Sequence, residues 1–305
     1  MKSAFIDLGT NTFNLLIASA EAGRLVIHHE EERPVFLGKG GIGKNIIAED
    51  AFARGIATLE AYGRIATEHQ ANTVRGFGTS ALRNAKNARD FVAQAHARTG
   101  IDITIVPGEE EAGLILDGVR QAVPFTHKPV LVMDIGGGSI EFILATDKAL
   151  MWKHSFELGV TRLRERFSPS DPITIEEQFR IATYLDAQLE PLWNVMERHW
   201  PSTLVGSAGS FDTIAHVLAM EQGTPLADDE HTRLFSGTEV DQLKERLLAM
   251  GRAQRAAVPG LPEHRVETIP LALIAIDRVM VQGIDEVRWS RFALKEGAAA
   301  RALGL

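Results

Sequence analysis

Two aspartates occupy equivalent points in a pattern that occurs twice in the chain. Asp7 and Asp134 each end an apolar stretch and are followed by small residues, at positions 9–12 and 136–139. A carboxylate at the end of an apolar strand needs a compensating partner, and a bound cation is one. Glycine, serine and threonine let backbone N–H groups approach an anion closely. The repeated pair therefore predicts phosphate binding together with a cation, whereas either loop alone fits an ordinary hairpin turn.

A further carboxylate follows the second loop. Glu141 stands two residues after Ser139, at the position that Asn14 holds in the first copy. Mg²⁺ is held by a few carboxylates together with waters and phosphate oxygens, so Glu141 near Asp134 fits a metal site. The alternative is a strand residue on the solvent face.

Three consecutive glutamates, Glu109, Glu110 and Glu111, open a predicted helix directly after Pro107 and Gly108. Acidic side chains suit a helix N-terminus because of the helix dipole. This explanation accounts for the cluster without making any of the three catalytic, and both interpretations stay open at this point.

Other motifs narrow the chemistry. Residues 206–210, Gly-Ser-Ala-Gly-Ser, lie between a predicted strand and a predicted helix, which favours anion binding at the helix N-terminus.

Residues 38–45 resemble a P-loop, but Asn45 replaces the Ser or Thr that would bind Mg²⁺, so we expect a flexible glycine loop. The chain has no cysteine, no HExxH and no GxSxG, which excludes thiolate sites and leaves a serine hydrolase without its nucleophile.

The elements that must position these residues predict an α/β fold. Residues 4–18 and 131–145 each give a strand, a tight turn and a second strand, and two copies of one unit indicate two related lobes. We place the boundary at Val123–Pro124, which gives an N-terminal lobe of residues 1–123 and a C-terminal lobe of residues 124–305. The apolar spacing predicts helices at 49–69, 84–99, 109–119, 175–199, 211–220, 239–255, 266–282 and 293–303, strands at 72–78, 101–106, 202–205 and 286–289, and a loop at 228–235.

Length and charge limit the class of protein. A chain of 305 residues is long for one core and fits two lobes. The net charge of -8 argues against a nucleic-acid partner, and it means that a polyanionic substrate must be held by local positive groups, backbone N–H groups and a metal. The N-terminus does not resemble a signal peptide, and the apolar stretch ended by Asp277 is too short to span a membrane. We expect a cytoplasmic protein without a membrane partner.

Together the motifs resemble those of the Ppx/GppA phosphatases of the actin-like ATPase superfamily, over most of the chain. Residues 7–12 look like the first phosphate loop of that family, 79–87 like its T-S-A-x-R-x-A-x-N stretch, 108–112 like its G-x-E-E-A motif, 134–141 like its second loop D-I-G-G-G-S-T-E, and 206–210 like its third glycine loop. Their order and spacing make the resemblance specific.

The chain departs from the family pattern at a few positions. Gly113 stands where many members have arginine, Ile140 replaces a threonine, and Glu267 follows Arg265 where R-x-D is common. The length predicts the short form of the family, without an additional C-terminal helical domain. That expectation puts the processive handling of long polyphosphate in doubt.

The resemblance implies two ribonuclease-H-like (actin-like ATPase) lobes with an interlobe cleft, the last helix packing back on the first lobe. It implies that Glu111 is the general base and that Mg²⁺, or Mn²⁺, is held by Asp7, Asp134 and Glu141. The phosphate-binding residues that it implies are Gly9, Thr10, Asn11, Thr12, Arg83, Gly136, Gly137, Gly138, Ser139, Ser207, Gly209 and Ser210.

The implied activity is that of an exopolyphosphatase, a phosphoric anhydride hydrolase that releases terminal orthophosphate from polyphosphate. Removal of the 5′-terminal phosphate of guanosine pentaphosphate (pppGpp) uses the same machinery and remains an alternative. An actin-like nucleotide-binding protein that senses or assembles is an alternative of another class, and it would not need Glu111. Family likeness also implies a homodimer.

Overall fold

Two units, each built around one β-sheet, account for the whole chain. The structure is a computed structural model that describes all residues from Met1 to Leu305. The internal contacts of the chain form a first unit, Met1–Gln121 with Gly136–Ser139 and Phe292–Leu305, and a second unit, Ala122–Ile135 with Ile140–Arg291.

The first unit contains an antiparallel hairpin extended by parallel strands. Its elements are β1 (Ser3–Leu8), β2 (Thr12–Glu21), β3 (Arg24–Pro34), a 3-10 helix (Ile42–Lys44), α1 (Glu49–Glu68), β4 (Thr73–Gly78), α2 (Ser80–Asn84), α3 (Ala88–Thr99), β5 (Asp102–Ile105) and α4 (Gly108–Ala122). The strand order is β3-β2-β1-β4-β5, with β4 and β5 parallel to β1.

The second unit repeats this arrangement and adds an edge strand. Its elements are β6 (Val130–Ile135), β7 (Ile140–Ala145), β8 (Leu150–Phe156), α5 (Val160–Phe167), α6 (Ile175–Gln188), α7 (Glu190–His199), β9 (Thr203–Ser207), α8 (Ala208–Glu221), β10 (Thr232–Ser236), α9 (Gly237–Ala249), α10 (Arg252–Ala256), a 3-10 helix (Glu263–Arg265), α11 (Ile269–Met280) and β11 (Glu286–Ser290). The strand order is β10-β11-β9-β6-β7-β8. Read from the other edge, β8-β7-β6-β9-β11 corresponds strand for strand to β3-β2-β1-β4-β5 of the first sheet, and β10 is the added edge strand. The chain closes with α12 (Leu294–Leu303), which belongs to the first unit.

The repeated hairpin predicted from the sequence is confirmed in both units. β1 pairs antiparallel with β2, and β6 pairs antiparallel with β7. Both turns close with the same backbone hydrogen bond, from Gly9 N to Thr12 O at 3.1 Å and from Gly136 N to Ser139 O at 3.0 Å. A Cβ on Gly9 would lie 2.8 Å from Thr12 O, so the first turn requires glycine there.

Each unit has its own apolar core. In the first unit, the fully buried Tyr62 of α1 donates its hydroxyl hydrogen to Phe13 O at 2.8 Å, and burial raises the pKa of Tyr62. In the second unit, α11 is apolar on almost every side and is therefore buried. Burying an aliphatic side chain such as Leu271 stabilises the fold by about 1.5–3 kcal/mol. None of the helices has both the length and the apolarity that a bilayer crossing requires.

Helices α4 and α12 touch through their backbones. A Cβ added to Gly118 would lie 1.9 Å from Ala293 O, and one added to Gly297 would lie 1.8 Å from Leu114 O. Any side chain at either glycine would force the helices apart. Helix α12 also packs on β1 and β2, within the first unit.

The helices predicted at 84–99 and 175–199 differ in extent from those of the structure. The first begins only at Ala88, after Asn87, whose amide donates to Ile47 O and accepts from Ile47 N, both at 2.9 Å. The helix predicted at 175–199 is divided into α6 and α7 close to Pro191, which has no N–H to continue the helical hydrogen bonds.

Other boundaries also differ from the prediction. The loop predicted at 228–235 contains most of β10, the helix predicted at 211–220 begins earlier at Ala208, and the helix predicted at 239–255 is two helices, α9 and α10. Strands β3 and β8 are absent from the prediction. The remaining predicted helices and strands are present with small shifts at their ends.

Candidate functional site

Four polar side chains form one row across the sheet of the second unit. Ser207 of β9 is opposite Asp134 of β6, Asp134 is opposite Glu141 of β7, and Glu141 is opposite Ser155 of β8. Directly opposed residues on neighbouring strands share one face of a sheet. We call these four residues the carboxylate row.

The two carboxylates of the row are buried and hydrogen-bonded. Asp134 is 7% exposed and Glu141 is 1% exposed. The Ser207 hydroxyl donates to Asp134 Oδ2 at 2.6 Å, and the Ser155 hydroxyl donates to Glu141 Oε1 at 2.6 Å. The serines thus fix one oxygen of each carboxylate.

The chemistry of the row fits a divalent cation. Like charges directly opposite each other destabilise a sheet, and a cation beside Asp134 and Glu141 would remove that cost. The oxygen donors suit Mg²⁺, which takes one or two carboxylates and completes its shell with waters and phosphate oxygens. The structure contains no cluster of three or more histidine or acidic side chains able to hold a metal by themselves. The metal-binding roles of Asp7, Asp134 and Glu141 stay predictions.

The corresponding row of the first unit is less acidic. Asp7 of β1 lies opposite Asn14 of β2 on one side and opposite Phe77 of β4 on the other. The Asn14 amide donates to Thr12 Oγ1 at 3.4 Å. The first hairpin therefore carries one carboxylate where the second carries two.

The first and second phosphate loops lie against each other within the first unit. A Cβ on Gly137 would lie 2.7 Å from the Asn11 amide, and a Cβ on Gly138 would lie 2.5 Å from both Thr10 Oγ1 and Ser80 Oγ. The two glycines therefore allow the Gly136–Ser139 turn to approach these hydroxyl and amide groups.

The start of the glycine loop at 38–45 and the residues just before it support the first phosphate loop. Gly38 N donates to Thr10 O at 3.0 Å, while Val35 N and Phe36 N donate to Asn11 O at 2.9 and 2.7 Å. The backbone of residues 35–38 thus holds the loop of residues 9–12.

Glu111 differs from its two acidic neighbours. Glu109 and Glu110 are exposed at the start of α4, whereas Glu111 is 5% exposed. The Arg83 guanidinium of α2 donates from Nη1 to Glu111 Oε2 at 2.6 Å and to Val106 O at 3.1 Å. The ion pair places the arginine predicted to contact phosphate directly on the carboxylate predicted to be the base.

The third glycine loop is covered by an arginine. The Cβ position of Gly209 lies 1.7 Å from Nη2 of Arg265, so the guanidinium occupies the space above this glycine at the start of α8. The Ser210 hydroxyl donates to Ile135 O at 3.4 Å. Ser207, also predicted to bind phosphate, uses its hydroxyl on Asp134.

Comparison with known proteins places these motifs in a family. The model of the Ppx/GppA phosphatase family matches residues 16–304, which is nearly the whole chain. The chain belongs to the Ppx/GppA phosphatase family.

Similar members of the Ppx/GppA family match along their full length. Exopolyphosphatase 2 of Mycobacterium tuberculosis is 31% identical over 99% of this chain and 98% of its own. A crystal structure of an exopolyphosphatase from Cytophaga hutchinsonii is 35% identical, with a TM-score of 0.97 over 100% of this chain and 98% of its own. A Ppx/GppA member from Aquifex aeolicus, 24% identical, has a TM-score of 0.82 over 99% of this chain and 97% of its own, which shows the shared fold. The predicted family and α/β fold class are confirmed.

The structure places the predicted site residues in two sets. The first unit contains Asp7, residues 9–12, Arg83, Glu111 and Gly136–Ser139, and the second contains Asp134, Glu141, Ser207, Gly209 and Ser210. Within the first set the two loops meet and Arg83 meets Glu111, and within the second set Ser207 and Glu141 both flank Asp134. The individual catalytic and binding roles stay predictions.

Sequence reasoning missed three polar residues at these Ppx/GppA motifs. Ser155 contacts Glu141, Ser80 lies at the second loop, and Arg265 covers Gly209. Ser155 was missed because β8 itself was not predicted. Extending the repeated hairpin by a third strand would have placed Ser155 beside Glu141.

Proposed function

We propose that this protein is an exopolyphosphatase that releases terminal orthophosphate from inorganic polyphosphate by attack of water. Relatives with that name match it at 31% and 35% identity over nearly their whole length. The structural observation that carries the proposal is the carboxylate row, in which Asp134 precedes the Gly136–Ser139 turn by two residues. Oxygen ligands for a cation are thus followed immediately by a glycine turn that suits an anion.

Asp134 and Glu141, together with Asp7, are the residues that we assign to Mg²⁺ or Mn²⁺. When bound, the cation would neutralise charge on the phosphate groups of the substrate. The burial of Asp134 and Glu141 and their opposed positions support this assignment.

Glu111 is the residue that we assign as general base. It would accept a proton from water as the water oxygen bonds to the terminal phosphorus and the P–O bond to the rest of the chain breaks. Its burial and its hydrogen bond with Arg83 support the assignment, because the guanidinium fixes one carboxylate oxygen. Positioning and charge neutralisation account for most of catalysis in reactions of this type.

The three glycine loops are assigned to the terminal and penultimate phosphates. Residues 9–12 and Gly136–Ser139 would offer backbone N–H groups and hydroxyls, and Arg83 would share its guanidinium between phosphate and Glu111. Gly209 and Ser210, with Ser207 before them, form the third loop, and the Arg265 guanidinium above Gly209 adds positive charge there. These local groups would offset the net charge of -8.

A phosphate-release assay tests the proposal. Purified protein with Mg²⁺ is given polyphosphate of several lengths, pppGpp and ATP, and kcat/KM is compared among them. We expect the highest kcat/KM with polyphosphate, because the similar relatives carry that activity in their names. No release from polyphosphate of any length, or a higher kcat/KM with pppGpp, would reject the proposed substrate.

We also propose that the chain forms two lobes, residues 1–123 and 124–305, and that the protein works in the cytoplasm as a homodimer. Family likeness supports the two lobes and the dimer. Size-exclusion chromatography with light scattering measures the oligomeric state, and a monomer at micromolar concentration would reject the dimer.

A further inference from the structure

The carboxylate row is symmetrical in its chemistry. A serine stands at each end and a carboxylate at each of the two inner positions, on four adjacent strands. The Ser207 hydroxyl donates a hydrogen bond to Asp134, and the Ser155 hydroxyl donates one to Glu141. Each inner carboxylate therefore has its own hydroxyl donor on its outer side.

Both hydrogen bonds are short enough to be charge-assisted. Donor–acceptor distances of 2.6 Å fall in the range of about 2.5–2.7 Å for a hydroxyl donating to a carboxylate. Burial protects the two acceptors from competing water, since Asp134 and Glu141 are 7% and 1% exposed. The serines therefore restrict the rotation of the carboxylate groups.

We propose that Ser155 and Ser207 are positioning residues that orient Glu141 and Asp134 to bind a divalent cation. The inference rests on the proposed function, which assigns these carboxylates to Mg²⁺ or Mn²⁺. Hydrogen bonds from neighbouring residues hold metal ligands in their binding orientation, and the loss of such a bond typically lowers metal affinity or activity by about 10–100-fold.

A purely structural role for the serines makes a different prediction. If the hydroxyls only satisfy buried carboxylates, their removal lowers stability and leaves metal affinity unchanged. The positioning role requires that metal affinity falls in protein that is still folded. A measurement of metal affinity in the absence of substrate distinguishes the structural role from the positioning role.

The experiment measures Mn²⁺ binding by electron paramagnetic resonance, with no polyphosphate present. Wild type is compared with Ser155→Ala, Ser155→Thr and Ser207→Ala, and thermal unfolding monitors the folded state. We expect the Kd for Mn²⁺ to rise about 10–100-fold in each alanine variant and to stay near the wild-type value in Ser155→Thr, which keeps the hydroxyl.

A matched control lies elsewhere in the second unit. The Ser170 hydroxyl donates to Glu177 Oε2 at 2.5 Å in an exposed position outside the row, so Ser170→Ala removes a serine–carboxylate hydrogen bond without touching Asp134 or Glu141. We expect its Kd for Mn²⁺ to equal that of wild type. If Ser155→Ala does not fold, Ser155→Cys keeps the size of the side chain with a weak donor and replaces it in the comparison.

The outcomes separate this inference from the proposed function. Wild-type Mn²⁺ affinity in folded Ser155→Ala and Ser207→Ala, together with lost binding in Glu141→Gln, would overturn the positioning role and leave the metal assignment intact. Unchanged binding in Glu141→Gln and Asp134→Asn would reject the metal assignment itself. A loss in Ser155→Thr equal to that in Ser155→Ala would also overturn the inference, because the hydroxyl would not be the cause.

Discussion

The two hairpins share a register and differ in charge. In the second unit, Asp134 faces Glu141 across the strands, and in the first unit, Asp7 faces Asn14. The turns close with the same hydrogen bond and the sheets have the same strand order up to one extra edge strand. The two copies therefore share a backbone arrangement and differ in the side chains of one row.

This difference suggests a division of labour between the copies. The acidic row lies in the second unit, whereas the first unit holds the Arg83–Glu111 ion pair and the contact between the two phosphate loops. A strand order shared by two units thus says little about which unit holds a cation. The side chains at matching register positions say more.

The largest expected effect is a loss of turnover on changing Glu111 in the first unit, which lacks the carboxylate pair. Replacing Glu111→Gln removes the proposed base, and we expect turnover to fall by about 10²–10⁴-fold with little change in KM. Steady-state phosphate release measures both constants. Glu110→Gln, at an exposed neighbour on the same helix, should stay near wild type. Unchanged turnover in Glu111→Gln would mean that the first unit does not supply the catalytic base.

The acidic row should make the stability of the protein depend on metal. At a Mg²⁺ concentration of 100 times Kd, we expect the free energy of unfolding to rise by about 2.7 kcal/mol relative to EDTA. Glu141→Gln should reduce this gain, whereas Asn14→Ser in the matching position of the first unit should not. Urea unfolding with and without Mg²⁺ measures the gain. Equal gains in wild type and Glu141→Gln would show that the row does not bind the ion.

The contact between the loops gives the next effect. Gly138→Ala places a Cβ 2.5 Å from two hydroxyl oxygens, and we expect it to lower the free energy of unfolding by about 1–3 kcal/mol. Gly136→Ala is the matched control, because its Cβ would lie 3.3 Å from the nearest atom, Ser139 O. Urea unfolding compares them. A larger loss in Gly136→Ala would contradict the described packing.

The smallest effect comes from making the first row resemble the second. Asn14→Asp puts a second carboxylate opposite Asp7, and we expect the free energy of unfolding in EDTA to fall by about 0.2–1 kcal/mol. Recovery of this loss on adding Mg²⁺ would show that paired carboxylates alone are enough for cation binding at this register. A more stable Asn14→Asp would mean that repulsion between the opposed groups is not significant.

Local patterns in the sequence predict the parts of the site that are close in the chain. The strand, the aspartate and the glycine turn of each hairpin lie within about fifteen residues. The apolar pattern of the strands and the glycines that end them are therefore enough to predict these parts. The third strand of each copy was missed, because β3 and β8 give no clear turn and alternation signal. Because β8 was not predicted, the position of Ser155 beside Glu141 could not be predicted either.

Contacts between distant segments could not be predicted in this way. The helix predicted from residue 84 begins only at Ala88, directly after Asn87, whose amide bonds to Ile47 forty residues earlier in the chain. Arg265 covers Gly209 from a 3-10 helix that no periodicity marks. The burial that separates Glu111 from Glu110 depends on how α4 packs, so the family resemblance, rather than residue physics, singled out Glu111.

The glycine crossing of α4 and α12 has a consequence for biosynthesis. Helix α4 carries Glu111, but the surface on which Gly118 packs is made of residues translated only after the entire second unit. Domains generally fold from the N-terminus as they leave the ribosome. Here the N-terminal unit is completed last, and a chain truncated before Phe292 would lack the surface on which Gly118 of the helix that carries the proposed base packs.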